Sequence, residues 1–127
     1  MKQFVSLLAL LVGLAGQSQT TINMEQKIGA IEIVKFRLKS GIGDEEGRTK
    51  LLQLNQCVEA FDGFIERKLS RTEEGEWLDI VYWTSKKAAL VAAEQVAKDP
   101  KALEAFAVID ESTLSMNHYD LIEKFTK

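Results

Sequence analysis

Apolar and polar positions along this chain alternate in some stretches and recur every three or four residues in others, and the switches between the two periods outline a fold. From Ile28 to Lys39, Val34, Phe36 and Leu38 alternate with Lys35, Arg37 and Lys39, the period of two that a strand requires. Gly41, Gly43 and Asp44 break that run, and Asp44 is placed to cap a helix with Glu45 and Glu46 in its first turn. Leu51, Leu54, Val58 and Phe61 then form one apolar helical stripe, which Asp62-Gly63 ends. Phe64 to Arg71 reads as a second strand, Glu74-Gly75 as a turn and Glu76 to Thr84 as a third strand, so this pair is a hairpin. Ser85 caps a second helix, rich in Ala, running to about Lys98. Asp99-Pro100 opens a short third helix to about Val108, since Pro suits the first helical turn. Ser112 to Tyr119 is the last strand, followed by a tail through Phe125 available to a sheet edge or a neighbour.

The order β-α-β-β-α-(α)-β predicts an α+β, ferredoxin-like fold, a four-stranded antiparallel sheet with its helices on one face. The third strand adds a prediction about assembly. Leu78, Ile80 and Tyr82 form one face, and Trp77, Val81 and Trp83, interrupted by Asp79, form the other. A sheet open to water on one side should alternate apolar with polar, and this strand is apolar on both. Helices cover one face only, so the other is expected to meet a second copy of the chain in a homodimer.

The first residues carry a different pattern. Met1-Lys2, the nearly unbroken apolar run from Phe4 to Leu14, and the small residues Gly13, Ala15, Gly16 and Ser18 have the layout of a secretory signal peptide. That run is shorter than the roughly 20 residues of a bilayer span. A cut after Gly16 or Ser18 is expected; no Cys lies nearby for lipid attachment, so no membrane anchor is expected. The organisation predicted is a signal peptide over 1–18, a polar lead over 19–27 and one domain over 28–127, in a protein exported to the periplasm or secreted.

The 127 residues, 46% apolar and 28% charged with one Pro and 8 Gly, suit a single globular domain. A net charge of −3 gives no basic footprint for nucleic acid. One His and one Cys leave no set of metal ligands, so neither a metal nor a cofactor of the protein's own is expected. Gly41-Ile42-Gly43 lacks the remainder of a phosphate loop, and no Gly-x-Ser-x-Gly elbow is present. Cys57 shares a helical face with Leu54 and Phe61, the pattern of a small buried hydrophobe.

Few side chains remain as candidates for chemistry, and no catalytic residue is assigned. His118, in phase with Leu114 and Met116, is either a core or interface imidazole satisfied by a backbone carbonyl or a pocket group that accepts a ligand proton. Trp83 shares a face with Trp77, and aromatics so placed are core or dimer anchors that can also wall a flat ligand. Asp79, the odd polar residue of that face, is either paired with Arg67 or Arg37 or a pocket acid with a raised pKa. The charged turn of Arg71, Glu73, Glu74 and Glu76 is a solvated hairpin tip.

Between Phe61 and Phe106 the chain resembles the antibiotic-biosynthesis-monooxygenase-like family of the dimeric α/β barrel superfamily. The match is carried by Asp62-Gly63-Phe64 entering a strand, Trp83 closing the next, Ser85 opening an Ala-rich helix, Asp99-Pro100 and Phe106. The resemblance implies a dimer whose two sheets form a barrel, and in each subunit a cleft between helices and sheet for a polycyclic phenol, a quinol or haem. Trp83, Tyr82, His118 and Phe64 are the ligand-binding residues expected on this basis. The helix position where many members carry His is Ala92 here, and the first strand has no Asn, which argues against haem degradation. Binding of a small apolar or aromatic molecule is the leading expectation. A cofactor-independent monooxygenase acting on a phenolic or quinol-type substrate, and a structural dimer without ligand, are the alternatives.

Overall fold

The computed structural model describes residues 27–127; the signal peptide expected over 1–18 and the polar lead expected over 19–27, apart from Lys27, lie outside the described residues. Four strands, β1 (Ala30–Leu38), β2 (Phe64–Arg71), β3 (Trp77–Trp83) and β4 (Ile109–Tyr119), form one antiparallel sheet in the order β2-β3-β1-β4. Four helices, α1 (Asp44–Leu52), α2 (Leu54–Val58), α3 (Lys86–Val96) and α4 (Pro100–Phe106), complete the ferredoxin-like α+β arrangement.

Alternation along β3 sorts the sheet into two faces: Trp77, Asp79, Val81 and Trp83 are buried, and the residues between them are only partly so. The helices pack on the buried face, where the core divides in two. Phe36, Leu51, Leu54, Trp77, Ala102 and Ala105 belong to one cluster. Ala30, Val81, Trp83, Ala89 and Ala92 form the other. The opposite face carries Ile31 and Ile33 from β1 across from Tyr82 and Ile80 of β3, all partly exposed and covered by no helix among the described residues.

Local chemistry explains most element ends. Ser85 Oγ accepts from the Ala88 N–H and Asp99 Oδ1 from the Lys101 N–H, so α3 and α4 start at side-chain caps, with Pro100 in the first turn of α4. Gly63 sits at φ +85 where the chain leaves the helical segment for β2.

Three expectations are corrected. Gly43, not Asp44, occupies the α1 N-cap; Asp44 lies inside the first turn with Glu45 and Glu46, where acidic side chains complement the helix dipole. The single helix predicted to Phe61 is divided at Gln53, whose N–H bonds back to Lys50 O in a tightened turn, while the Leu51 carbonyl also accepts from Arg67 Nη1 at 2.9 Å. Strand β4 begins three residues early, at Ile109, and bulges between the positions paired to Arg37 and Lys35. The bulge is held by side chains that read as a turn in sequence: Thr113 Oγ1 accepts from the Arg37 N–H and donates to Asp110 O, and Ser112 Oγ donates to Asp110 Oδ1. The tail after Tyr119 adds no strand.

Candidate functional site

Between the two halves of the core lies a cavity of about 470 Å³. Its floor is the inward row of the sheet, including Val34, Phe36, Val81 and Trp83; Leu51, Leu54, Val58, Ala92, Val96 and Phe106 help form the helical walls. Small side chains make the space: Ala89 and Ala92 are buried on α3 and bring little volume to the wall they form. Leu114 and Met116, exposed on the edge strand β4, stand at the rim.

Four charged residues interrupt this apolar lining, Glu111 of β4 and three on the inward face of the sheet. Arg67 and Asp79 face each other across the β2–β3 pair. Arg67 Nη2 donates to Asp79 Oδ2 at 2.7 Å, and Nε to Oδ1 and Oδ2 at 3.0 and 3.1 Å. The guanidinium also donates through Nη1 to Leu51 O and Asn55 Oδ1, each at 2.9 Å, pinning the α1–α2 junction to the sheet. Of the two partners weighed for Asp79, Arg67 is the one that holds it. Arg37 is on the other face and donates through Nη1 to Glu74 O at the hairpin tip.

The third is Glu32, buried on the inward face of β1. Its Oε1 lies 3.0 Å from His118 Nε2, directly across the β1–β4 ladder. Burial raises the Glu32 pKa; the hydrogen bond and charge of His118 oppose this, and the Asp79 carboxylate adds to it. A carboxyl held above its unfolded value favours the folded state most at low pH, and that contribution is lost as pH rises through the raised pKa. The thermal stability of the protein relative to Glu32→Gln is therefore expected to decline as pH rises above 4.5, the ordinary value, and the carboxyl ionises. Melting curves of both proteins across that range check it; a constant difference would refute it.

The four residues expected to bind ligand are not brought together. Trp83 lines the cavity, and its buried indole N–H has no hydrogen-bond partner among the described residues. Phe64 packs edge-on against Trp83 with ring centroids 5.8 Å apart, supporting that wall without forming it. His118 does not line the cavity and reaches it through Glu32; of the two readings weighed for it, a satisfied core imidazole and a pocket group, its partner is a side-chain carboxyl, which neither reading named. Tyr82 lies on the uncovered face beneath the Lys68 ammonium, which is 5.3 Å from its ring centroid; alternation along β3 puts it on the wrong side for the cavity of its own chain.

Sequence reasoning missed Glu32. The signal was its place in the inward row of β1, between Ala30 and Val34, where an acid needs a partner. Cys57 is partly buried against the core, where burial and then the Asp99 carboxylate push its thiol pKa up, away from nucleophilic chemistry. Among the described residues, no group of three or more His, Cys, Asp or Glu could hold a metal ion, and no helix is long and apolar enough to cross a membrane.

No protein-family model and no curated protein matches the chain. Solved structures do. SnoaB, a cofactor-independent oxygenase from Streptomyces nogalater, superposes with a TM-score of 0.66 at 16% identity, over 80% of this chain and 100% of that one. A dimeric ferredoxin-like protein from an uncultured marine organism gives a TM-score of 0.58 at 13% identity, over 82% and 96% of the two chains. The haem degrader MhuD from Mycobacterium tuberculosis, with two haems in its active site, gives 0.56 at 20% identity, over 76% and 99%. The cavity described here does not fit axial ligation of haem iron, because its nearest imidazole is bonded to Glu32 and α3 presents Ala92. At these identities the likeness is one of fold, and the chain has the ferredoxin-like α+β fold of the antibiotic-biosynthesis-monooxygenase-like proteins.

Proposed function

We propose that this protein is an exported homodimer that binds a small apolar or aromatic molecule in the cavity between its helices and sheet. The observation that carries the reading is the cavity itself. Ligand sites are concave, mostly apolar, about 300–1,000 Å³ in volume and supplied with a few convergent polar groups. A space of about 470 Å³ walled by apolar residues, with Glu32, Asp79 and Arg67 among them, has that character and suits a flat molecule of two or three rings.

The dimer is supported by the uncovered sheet face, where Ile31, Ile33, Leu78, Ile80 and Tyr82 lie together, and by the likeness to a protein described as dimeric. Export rests on the Phe4 to Leu14 run and the small residues after it. The likeness to a cofactor-independent oxygenase favours a second reading, a monooxygenase acting on a phenolic or quinol-type substrate in the same cavity.

Purified from the exported fraction, the protein is expected to sediment at twice its subunit mass at micromolar concentration. Its tryptophan emission should be quenched saturably by anthraquinone, because Trp83 is part of the wall. A monomer would refute the dimer, and the absence of saturable quenching would refute the ligand site. Consumption of dioxygen on adding a polycyclic quinol would move the conclusion to the oxygenase.

A further inference from the structure

We propose that the cavity takes a cationic ligand, a flat ring system bearing a protonated amine or a quaternary nitrogen, whose positive charge pairs with Glu32. The proposal rests on the cavity being a ligand site, and it assigns the charge of that ligand.

Two carboxyl groups line the cavity floor, and only one has its counter-charge built in. Both oxygens of Asp79 are held by the Arg67 guanidinium, so that pair is closed. Glu32 faces no permanent cation. Its Oε1 meets the His118 ring at 3.0 Å, and Oε2 has no hydrogen-bond partner among the described residues. The charged residues of the lining are three acids, Glu32, Asp79 and Glu111, against one base, Arg67, which Asp79 already occupies. From the helices only apolar side chains face the cavity, and from β4 the remaining titratable group against Glu32 is His118. The lining as built is therefore acidic.

That imbalance sets what fits. A carboxylate taken out of water is costly unless a charge and hydrogen bonds replace the water it loses. A neutral molecule entering the cavity strips water from Glu32 and returns nothing, and an anion adds like-charge repulsion. A ligand cation supplies the missing charge at Oε2. The aromatic residues Phe36, Phe61, Trp83 and Phe106 belong to the same lining, and the faces of such rings attract cations. Burial and Asp79 raise the proton affinity of Glu32, so a bound cation also opposes that rise and favours the ionised carboxyl. The site should accordingly take up its ligand more tightly as pH rises and the Glu32–His118 pair loses protons. Glu111 is exposed at the rim, where water screens it, and Asp79 keeps its guanidinium.

The test uses flat three-ring fluorophores of closely similar shape: N-methylacridinium, a permanent cation; 9-methylanthracene, its neutral isostere; and 9-anthracenecarboxylate, an anion. At about pH 8 the protein is expected to bind the cation at least about tenfold more tightly than the neutral ring, and the anion most weakly. Because the charge of N-methylacridinium does not change with pH, its preference over 9-methylanthracene should grow between about pH 5 and about pH 8 through the protein's own groups. Glu32→Gln, shown to be folded by a cooperative melting transition, should lose the preference. Equal or tighter binding of the neutral ring overturns the assignment and leaves the cavity reading standing, as does a preference that survives in folded Glu32→Gln. Should that variant not fold, the parent protein decides: a preference that stays flat with pH overturns the role of Glu32. Failure of all three probes to bind removes the cavity reading and this proposal with it.

Discussion

Replacing Arg67 by Met is expected to destabilise the protein by about 3–5 kcal/mol, because it leaves the Asp79 carboxylate buried without its counter-charge. The side chains of the pair are 4% and 12% exposed, so each is largely shielded from bulk water. The substitution also strips the Leu51 carbonyl and Asn55 of their donor and frees the α1–α2 junction from the sheet. In a domain of this size 1 kcal/mol shifts the melting temperature by about 4–8 °C, so a fall of at least about 12 °C should be seen at neutral pH. The double variant Arg67→Met/Asp79→Leu should recover most of the loss, since an apolar pair of similar volume carries no desolvation cost. A single-variant loss below about 1 kcal/mol, the level of an exposed pair, would show that solvent reaches the site. Asn55→Ala removes one peripheral acceptor and is expected to cost only about 1 kcal/mol.

Ligand binding should depend most on Ala92. This residue is 4% exposed and lines the cavity from α3, so a phenyl ring added there projects into the space a ligand would fill. Ala92→Phe is expected to weaken anthraquinone binding by at least 100-fold, about 2.8 kcal/mol at 1.4 kcal/mol per tenfold change. Its stability should change by less than about 1 kcal/mol, because the ring enters existing space and does not overpack a filled core. Leu90→Phe, two residues away on the exposed side of the same helix, is the control and should bind as the parent does. Fluorescence titration of the three proteins decides the matter. Unchanged affinity in Ala92→Phe would place the ligand elsewhere.

The elements legible from the amino-acid order are those whose cause is local. The strand run Phe64 to Arg71 ahead of the Glu74-Gly75 turn identified β2 with its observed ends, and Ser85 and Asp99-Pro100 marked the starts of α3 and α4, because turns and caps depend on residues a few positions apart. Parity along the strands carried a further cue that the reading of Asp79 left unused when it kept both Arg67 and Arg37 as partners: Arg37 alternates with the buried Phe36 and so points to the other face. The same parity put Tyr82 opposite Trp83, on the sheet face away from the cavity.

What sequence order could not supply is register between distant strands. Glu32 and His118 are 86 residues apart, and nothing near either names the other; they meet because β1 and β4 pair with Glu32 opposite His118. A bulge between Arg37 and Lys35 lies on the path to that register, and it is built from Asp110, Ser112 and Thr113, residues whose local signal is a turn. The amino-acid order by itself determined that there are four strands, where α3 and α4 start, the ferredoxin-like topology and the alternation of faces along the strands. Only the tertiary structure decided which charges are paired, that one core carboxyl is left facing a cavity, and that the cavity exists at all, since pairing and empty volume depend on how separate elements pack together.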